Sequence, residues 1–375
     1  MSSTEIPPQE QQYELAKGLV PSAETVPLGA PADGSPAQPV PEDVVVKVVN
    51  LRKLFPVKMG LGGLFKKPKF VHAVDNISFE IKRGEILGVV GESGCGKTTT
   101  GRLLTRLETP TSGHMNFQNI DIATLKGATL KKFRRNVQMV FQDPYESLNP
   151  RFTTFDTVSE PLIVHRVGGN IAEREELVCK ALDAAELKPS SEYLYRYPHE
   201  LSGGQRQRVA IARTLVLTPQ FIVADEPVSM LDVSIRAGIM NLMLDLRDKF
   251  RIPFLFITHD VSVARYMSDR IIVMYLGVIV EMGPTEKVIK NAKHPYTKAL
   301  LSAVPVPDPA AKHGQVQIKG ELPSPIDLPS GCRFHPRCLY CQDICKEKEP
   351  QLLEVEPGHT VYCHYDIPSS ALDDH

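Results

Sequence analysis

Short apolar runs punctuate the chain from residue 44 onward. Val44–Val49 is a β-branched run suited to a strand. Ile77–Ile81, Ile86–Val90, Val137–Phe141, Phe221–Ala224, Phe254–Thr258 and Arg270–Leu276 are further strand-like runs. Between them apolar residues recur at helical spacing, as in Ile171–Leu187 and Ile235–Phe250. Apolar strands alternating with helices predict an α/β core around a largely parallel, buried sheet. No motif described below occurs twice, so no internal duplication is expected.

The pattern changes at both ends. Residues 1–41 hold eight of the 31 prolines and one aromatic, Tyr13, and read as a disordered tail. Pro56–Phe70, with Lys58, Lys66, Lys67 and Lys69, reads as a basic loop insertion between two strands. After about Pro305 the chain turns Pro-rich and then Cys-rich, which places a boundary there. The expected organisation is a tail over 1–41, a main domain over 42–304 and a C-terminal region over 305–375.

Composition narrows the function. A formal net charge of −1 gives no reason to expect nucleic acid as a partner. Runs such as Phe254–Ile257 are far shorter than the roughly 20 residues that span a bilayer. The first residues show no basic region followed by an apolar core, so no secretion signal is expected. If the protein works at a membrane, other chains supply the spans.

Two segments carry chemistry. Gly91-Glu92-Ser93-Gly94-Cys95-Gly96-Lys97-Thr98 fits the P-loop pattern, after a strand and before the helical stretch Thr99–Arg106. Its glycines let backbone N–H groups turn toward phosphate oxygens, and the helix start adds positive charge. Lys97 is expected to reach the β- and γ-phosphates of a nucleotide, and the Thr98 hydroxyl to ligate Mg²⁺. Cys95, near a helix N-terminus, is expected to favour the thiolate, so its alkylation should lower ATP binding. Phe221–Ala224 leads into Asp225 and Glu226 at the carboxyl end of a strand, where α/β folds bind ligands. Asp225 suits a Mg²⁺ role and Glu226 a general-base or water-orienting one.

Leu201-Ser202-Gly203-Gly204-Gln205, 20 residues before Asp225, resembles the signature of the ABC ATPases. The other family motifs follow in order. Gln142 resembles the Q-loop glutamine, Ser229-Met230-Leu231-Asp232 the D-loop, and His259 the switch histidine. Phe55 stands where the family places an aromatic on the adenine. The resemblance implies a P-loop NTPase with a RecA-like α/β core, an antiparallel β subdomain and an α-helical signature subdomain at about 143–216. It implies a composite site that sandwiches ATP between two such domains. In that site Gly91, Ser93, Gly94, Cys95, Gly96, Lys97, Thr98, Thr99 and Asp225 hold one nucleotide. Ser202, Gly203, Gly204, Gln205 and Asp232 serve the nucleotide held by the opposite subunit. Gln142 senses the γ-phosphate and Mg²⁺, and His259 stabilises the γ-phosphate near the transition state.

Val137–Arg151, His294–Pro305 and Gly331–Cys338 resemble the oligopeptide/dipeptide importer branch. That implies a second, homologous ATPase chain, two permease chains and an extracytoplasmic solute-binding protein, with this chain peripheral on the cytoplasmic face of the membrane. Some transporters of the branch carry oligosaccharides or metal complexes instead. Cys332-x5-Cys338-x6-Cys345-x17-Cys363 matches the four-cysteine tail of the branch, which in some relatives holds a [4Fe–4S] cluster. Cys341 is extra, and His335, His359 and His364 lie nearby, so a Zn²⁺ site with mixed ligands competes with that reading.

Overall fold

The computed structural model describes residues 43–57, 68–303 and 318–365. The tail over 1–41 and most of the Pro56–Phe70 insertion lie outside the described residues. In chain order the strands are β1 (Val44–Pro56), β2 (Phe70–Lys82), β3 (Ile86–Val90), β4 (Ser112–Phe117), β5 (Ile120–Asp121), β6 (Val137–Val140), β7 (Phe221–Asp225), β8 (Phe254–Ile257), β9 (Arg270–Tyr275), β10 (Val278–Pro284), β11 (Leu352–Glu356) and β12 (His359–Tyr362). Six helices matter below: α1 (Lys97–Leu104), α2 (Thr154–His165), α3 (Ile171–Ala184), α4 (Gly203–Leu215), α5 (Val233–Phe250) and α6 (Pro295–Ser302). The described chain forms two compact units, one of Thr124–Phe254, the other of residues up to Ala123 and from Leu255 onward.

In the second unit, β1 pairs antiparallel with both β2 and β4, in the sheet order β2-β1-β4-β5. Alternation explains its one wet face: along β1, Val44, Val46, Val48 and Leu51 are buried, while Asn50 and Arg52 are exposed. The other sheet runs β11-β12-β10-β9-β3-β8 in this unit. All five residues of β3 are buried, which is why that strand reads as a continuous apolar run, and it pairs parallel with β9. The Cys-rich stretch contributes β11 and β12, and β12 pairs antiparallel with β10. A core of Val90, Ile271, Val273, Tyr275, Tyr296, Phe334 and Cys332 lies beneath.

Two buried polar contacts tie Arg333 and His359 to the rest of this unit. Arg333 donates to the Asp75 carboxylate and to the Leu276 carbonyl, and both Arg333 and Asp75 are about 95% buried. Burial alone pushes the Asp75 carboxyl up, but Arg333, His72 and Arg52 together hold it below the usual range. Glu281 on β10 is fully buried and accepts from the Lys293 N–H (2.8 Å), the His294 N–H (2.9 Å) and His359 Nε2 (2.7 Å).

In the Thr124–Phe254 unit, β6 pairs parallel with β7, Val137 opposite Phe221 and Val140 opposite Ala224. Helices α2, α3 and α4 pack on one another, burying Val158 and Leu162, Val178 and Leu182, and Val209 and Ile211. Thr153 and Asp156 form a capping box that fixes the start of α2, and Asn170 caps α3.

His294 caps α6: its Nδ1 accepts from the Tyr296 N–H at 3.1 Å. Burial holds its pKa down to about 4, only partly opposed by Glu281. A depressed histidine pKa stabilises the fold fully above the unfolded value near 6.5, and that stability is lost as pH falls toward 4. The loss should approach roughly 3 kcal/mol. Urea melts between pH 7 and pH 4.5 are expected to show it. His294→Asn, which keeps a capping acceptor, is expected to flatten this part of the pH dependence.

Candidate functional site

The phosphate loop leaves β3 and enters α1 on a path that excludes side chains at two positions. At Gly91 (φ +149°) a Cβ would lie 2.2 Å from the Met274 carbonyl oxygen; at Gly96 (φ +111°), 2.2 Å from that of Ala73. Both positions therefore demand glycine for conformation and for clearance. Ser93 and Gly94 lie on the exposed side of the loop, and Gly96 is the N-cap of α1. Lys97 is buried, and its Nζ donates to the carbonyls of Gly91 (2.7 Å) and Glu92 (3.1 Å). Thr98 and Thr99, half-buried, occupy the first turn of the helix. A buried ammonium, a helix start and a turned-in backbone together make an anion receptor.

Cys95 departs from the expectation of an activated thiolate. It is only 3% exposed, and burial raises its pKa more than Lys97 lowers it. Proximity to a helix start is outweighed here by desolvation, so the thiol is protonated and shielded from alkylation.

His259 and Phe55 belong to the same unit. His259 is exposed in the turn after β8, immediately before Asp260, whose carboxylate caps the next helix by accepting from the N–H groups of Ser262 and Val263. Phe55 lies near the end of β1 with the Lys53 ammonium 4.6 Å from its ring centroid.

The other expected residues lie in the Thr124–Phe254 unit. Asp225 ends β7 and is buried. The next residue, Glu226, has φ +47°, a left-handed conformation that costs a non-glycine residue about 1 kcal/mol or more. Such a turn re-aims the side chain, and Gln142 Nε2 donates to Glu226 Oε2 at 3.0 Å. These two sequence-predicted residues, 84 positions apart, are thus brought together. Asp232 is the exposed N-cap residue of α5. Arg236, which the motifs did not single out, donates to the carbonyls of Leu231 (2.8 Å) and Ser229 (3.4 Å) and so ties down the segment before it.

The Leu201–Gln205 segment opens α4 through reciprocal capping. The Ser202 hydroxyl accepts from the Gln205 N–H at 3.3 Å, and Gln205 Oε1 accepts from the Ser202 N–H at 2.9 Å. The first-turn N–H groups of Gly203 and Gly204 stand at the positive end of the helix dipole.

The cysteines of the C-terminal stretch are all free thiols. Cys332 and Cys345 are buried, and the Cys332 N–H donates to the Cys345 carbonyl at 2.7 Å. Burial, with a smaller contribution from the Cys345 and Cys363 sulfurs, pushes the Cys332 and Cys338 thiols up to about 12. Burial also raises Cys363. These four thiols share one electrostatic neighbourhood. Cys341, also raised chiefly by burial, feels only Cys345 among them. Among the described residues, no group of three or more His, Cys, Asp or Glu side chains is arranged to hold a metal ion.

Three residues were not marked by any motif role: Glu92, Tyr296 and Arg337. Tyr296 Oη accepts from the Glu92 N–H at 2.9 Å, and Arg337 pairs with the Glu92 carboxylate. Their only sequence signal is position: Glu92 within the phosphate loop, the other two within segments that resemble one importer branch.

Residues 74–229 match the family model described as ABC transporter, and residues 280–345 the one described as oligopeptide/dipeptide transporter, C-terminal region. The chain is 48% identical to the oligopeptide transport ATP-binding protein AppF of Bacillus subtilis, over 86% of this chain and 98% of that one. It is 46% identical to the dipeptide transport ATP-binding protein DppF of Haemophilus influenzae, over 86% and 96%. Among solved structures it resembles the ATP-binding cassette MJ0796 in a dimeric post-hydrolysis state bound to ADP and Pi. There the TM-score is 0.56 and the identity 34%, over 64% of this chain and 98% of that one.

The two glycines of the signature segment should separate by substitution. A Cβ at Gly204 would lie 2.5 Å from Ile235 Cγ2, whereas at Gly203 the nearest atom, Tyr145 Oη, is 3.6 Å away. Gly204→Ala is expected to cost about 1–3 kcal/mol by overpacking α4 against α5. Gly203→Ala is expected to leave stability unchanged or raise it by up to ~1 kcal/mol through helix propensity. Denaturant melts of the two variants check this.

Proposed function

Because the chain belongs to the ATP-binding proteins of the ABC transporters, in the oligopeptide/dipeptide branch, we propose that it binds and hydrolyses Mg-ATP to drive peptide uptake through partner permeases. The observation that carries the hydrolytic part is Glu226, turned by its left-handed backbone and held by Gln142. Lys97 and the start of α1 bind the β- and γ-phosphates. Thr98, Asp225 and Gln142 are the Mg²⁺-side residues. Glu226 takes a proton from the water whose oxygen attacks the γ-phosphorus, while the bond to the leaving ADP oxygen breaks. His259 steadies the charge gathering on the γ-phosphoryl oxygens. The N–H groups at the start of α4 serve a nucleotide held by a second ATPase subunit. Phe55 carries the adenine.

No helix among the described residues is long and apolar enough to cross a membrane. The chain is placed at the membrane through its permeases. Its partners in this reading are a homologous second ATPase chain, two permeases and an extracytoplasmic solute-binding protein.

By residue type Cys332, Cys338, Cys345 and Cys363, all free thiols, are the donor set a [4Fe–4S] cluster needs, although the described structure does not arrange them as a metal site. The cluster would cross-link the turn at Cys332–Cys338 to the segments of Cys345 and Cys363, a folding contribution. Anaerobic purification is expected to give a brown protein with about four irons and four acid-labile sulfides per chain. A colourless protein with stoichiometric zinc would exclude the cluster.

The transport reading is tested by isolating the complex from native membranes in mild detergent. Two multi-span permeases and a second ATPase are expected to co-purify. With Glu226→Gln the complex is expected to retain ATP yet lose nearly all hydrolysis and uptake of labelled peptides. Recovery of soluble partners alone, or substantial hydrolysis by that variant, would contradict it.

A further inference from the structure

Glu92 is the one acidic residue of the phosphate loop, and every polar group it carries has a partner. Its N–H donates to Tyr296 Oη at 2.9 Å. Its carbonyl accepts from Lys97 Nζ at 3.1 Å and from the Cys95 N–H at 3.3 Å. Its carboxylate accepts from Arg337 Nη1, at 2.9 Å to Oε2 and 3.2 Å to Oε1. Arg337 lies 245 positions further along the chain, beside Cys338.

The pair is not a loose surface contact. The Arg337 side chain is 10% exposed and that of Glu92 27%. The guanidinium stands 5.8 Å from the centroid of Tyr275. Tyr275, Tyr296 and Phe334 pack as a mutual aromatic trio, with ring centroids 4.7 to 5.5 Å apart. The Arg337 N–H also donates to the Phe334 carbonyl at 3.0 Å, so the backbone that presents the guanidinium is fixed to that trio.

A carboxylate in a loop that receives a polyanion is an electrostatic liability. Partly buried, it is screened far less than a surface charge. Arg337 removes that liability and fixes the direction of the side chain. Tyr296 and Lys97 fix the peptide groups on either side. We propose that Arg337 is a positioning residue for nucleotide binding: it neutralises Glu92 and holds the phosphate loop in its anion-receiving conformation. This rests on the reading of Gly91–Thr98 as the nucleotide loop.

The test measures equilibrium binding of Mg-ATP to the full-length chain, with thermal melts run on the same samples without nucleotide. Arg337→Ala is expected to weaken ATP binding about tenfold, the effect of leaving one loop in ten competent. Arg337→Lys, which keeps the charge, is expected to recover part of the loss. Adding Glu92→Gln to Arg337→Ala is expected to restore affinity, because the unpaired charge is then gone. A purely structural role would lower the melting temperature and would not be repaired by Glu92→Gln. Unchanged affinity in Arg337→Ala, or a double variant as weak as the single one, overturns the proposal. Lys97→Ala is the control: if it binds ATP like the wild type, the reading of the loop itself fails, whatever the Arg337 variants do.

Discussion

Between β3 and α1 the backbone passes so near the carbonyls of Met274 and Ala73 that a methyl group at Gly91 or Gly96 would lie 2.2 Å from one or the other. This closeness sets the constraints on the unit around it. It requires glycine at two positions, a parallel strand at β9 that delivers Met274, and an antiparallel β2 that delivers Ala73. The buried Lys97 ammonium in turn donates to the carbonyl of Gly91 itself. A loop this tight has little side chain of its own to hold it. Its rigidity comes from neighbours that bind its peptide groups, such as Gly277, whose N–H donates to the Cys95 carbonyl at 2.9 Å.

Much of this was legible in the sequence, for physical reasons. Ile86–Val90 and Phe221–Asp225 are buried on both faces, so their apolar runs stand out without an alternating partner pattern. The glycines, lysine and acids that follow them are residue types that few other roles require. Gln142 was chosen by its motif and Glu226 by its place at the end of an apolar strand, and the structure joins them by a hydrogen bond.

What the sequence hid is of another kind. β11 has exposed Leu352 and Leu353 and acquires its strand character by pairing with β12. β4 begins Ser112-Gly113-His114, a poor strand signature that pairing with β1 overrides. Buried charge was harder still. Arg333, Glu281 and Asp75 look like ordinary surface residues until hydrogen-bond partners more than 70 positions away enclose them. Cys95 was misread for the complementary reason: position in the loop implied an activated thiolate, but local burial decides its protonation.

The grip of Tyr296 and Arg337 on Glu92 has a consequence in time. A chain is made from its N-terminus, and the phosphate loop leaves the ribosome long before the two residues that steady it. A nascent chain therefore carries the motif without its full bracing until the segment around Cys338 has emerged. Arrest or proteolytic clipping upstream of that point leaves a loop with every glycine in place and an unpaired carboxylate beside its anion seat. The residues that brace the loop are thus made well after the loop they brace.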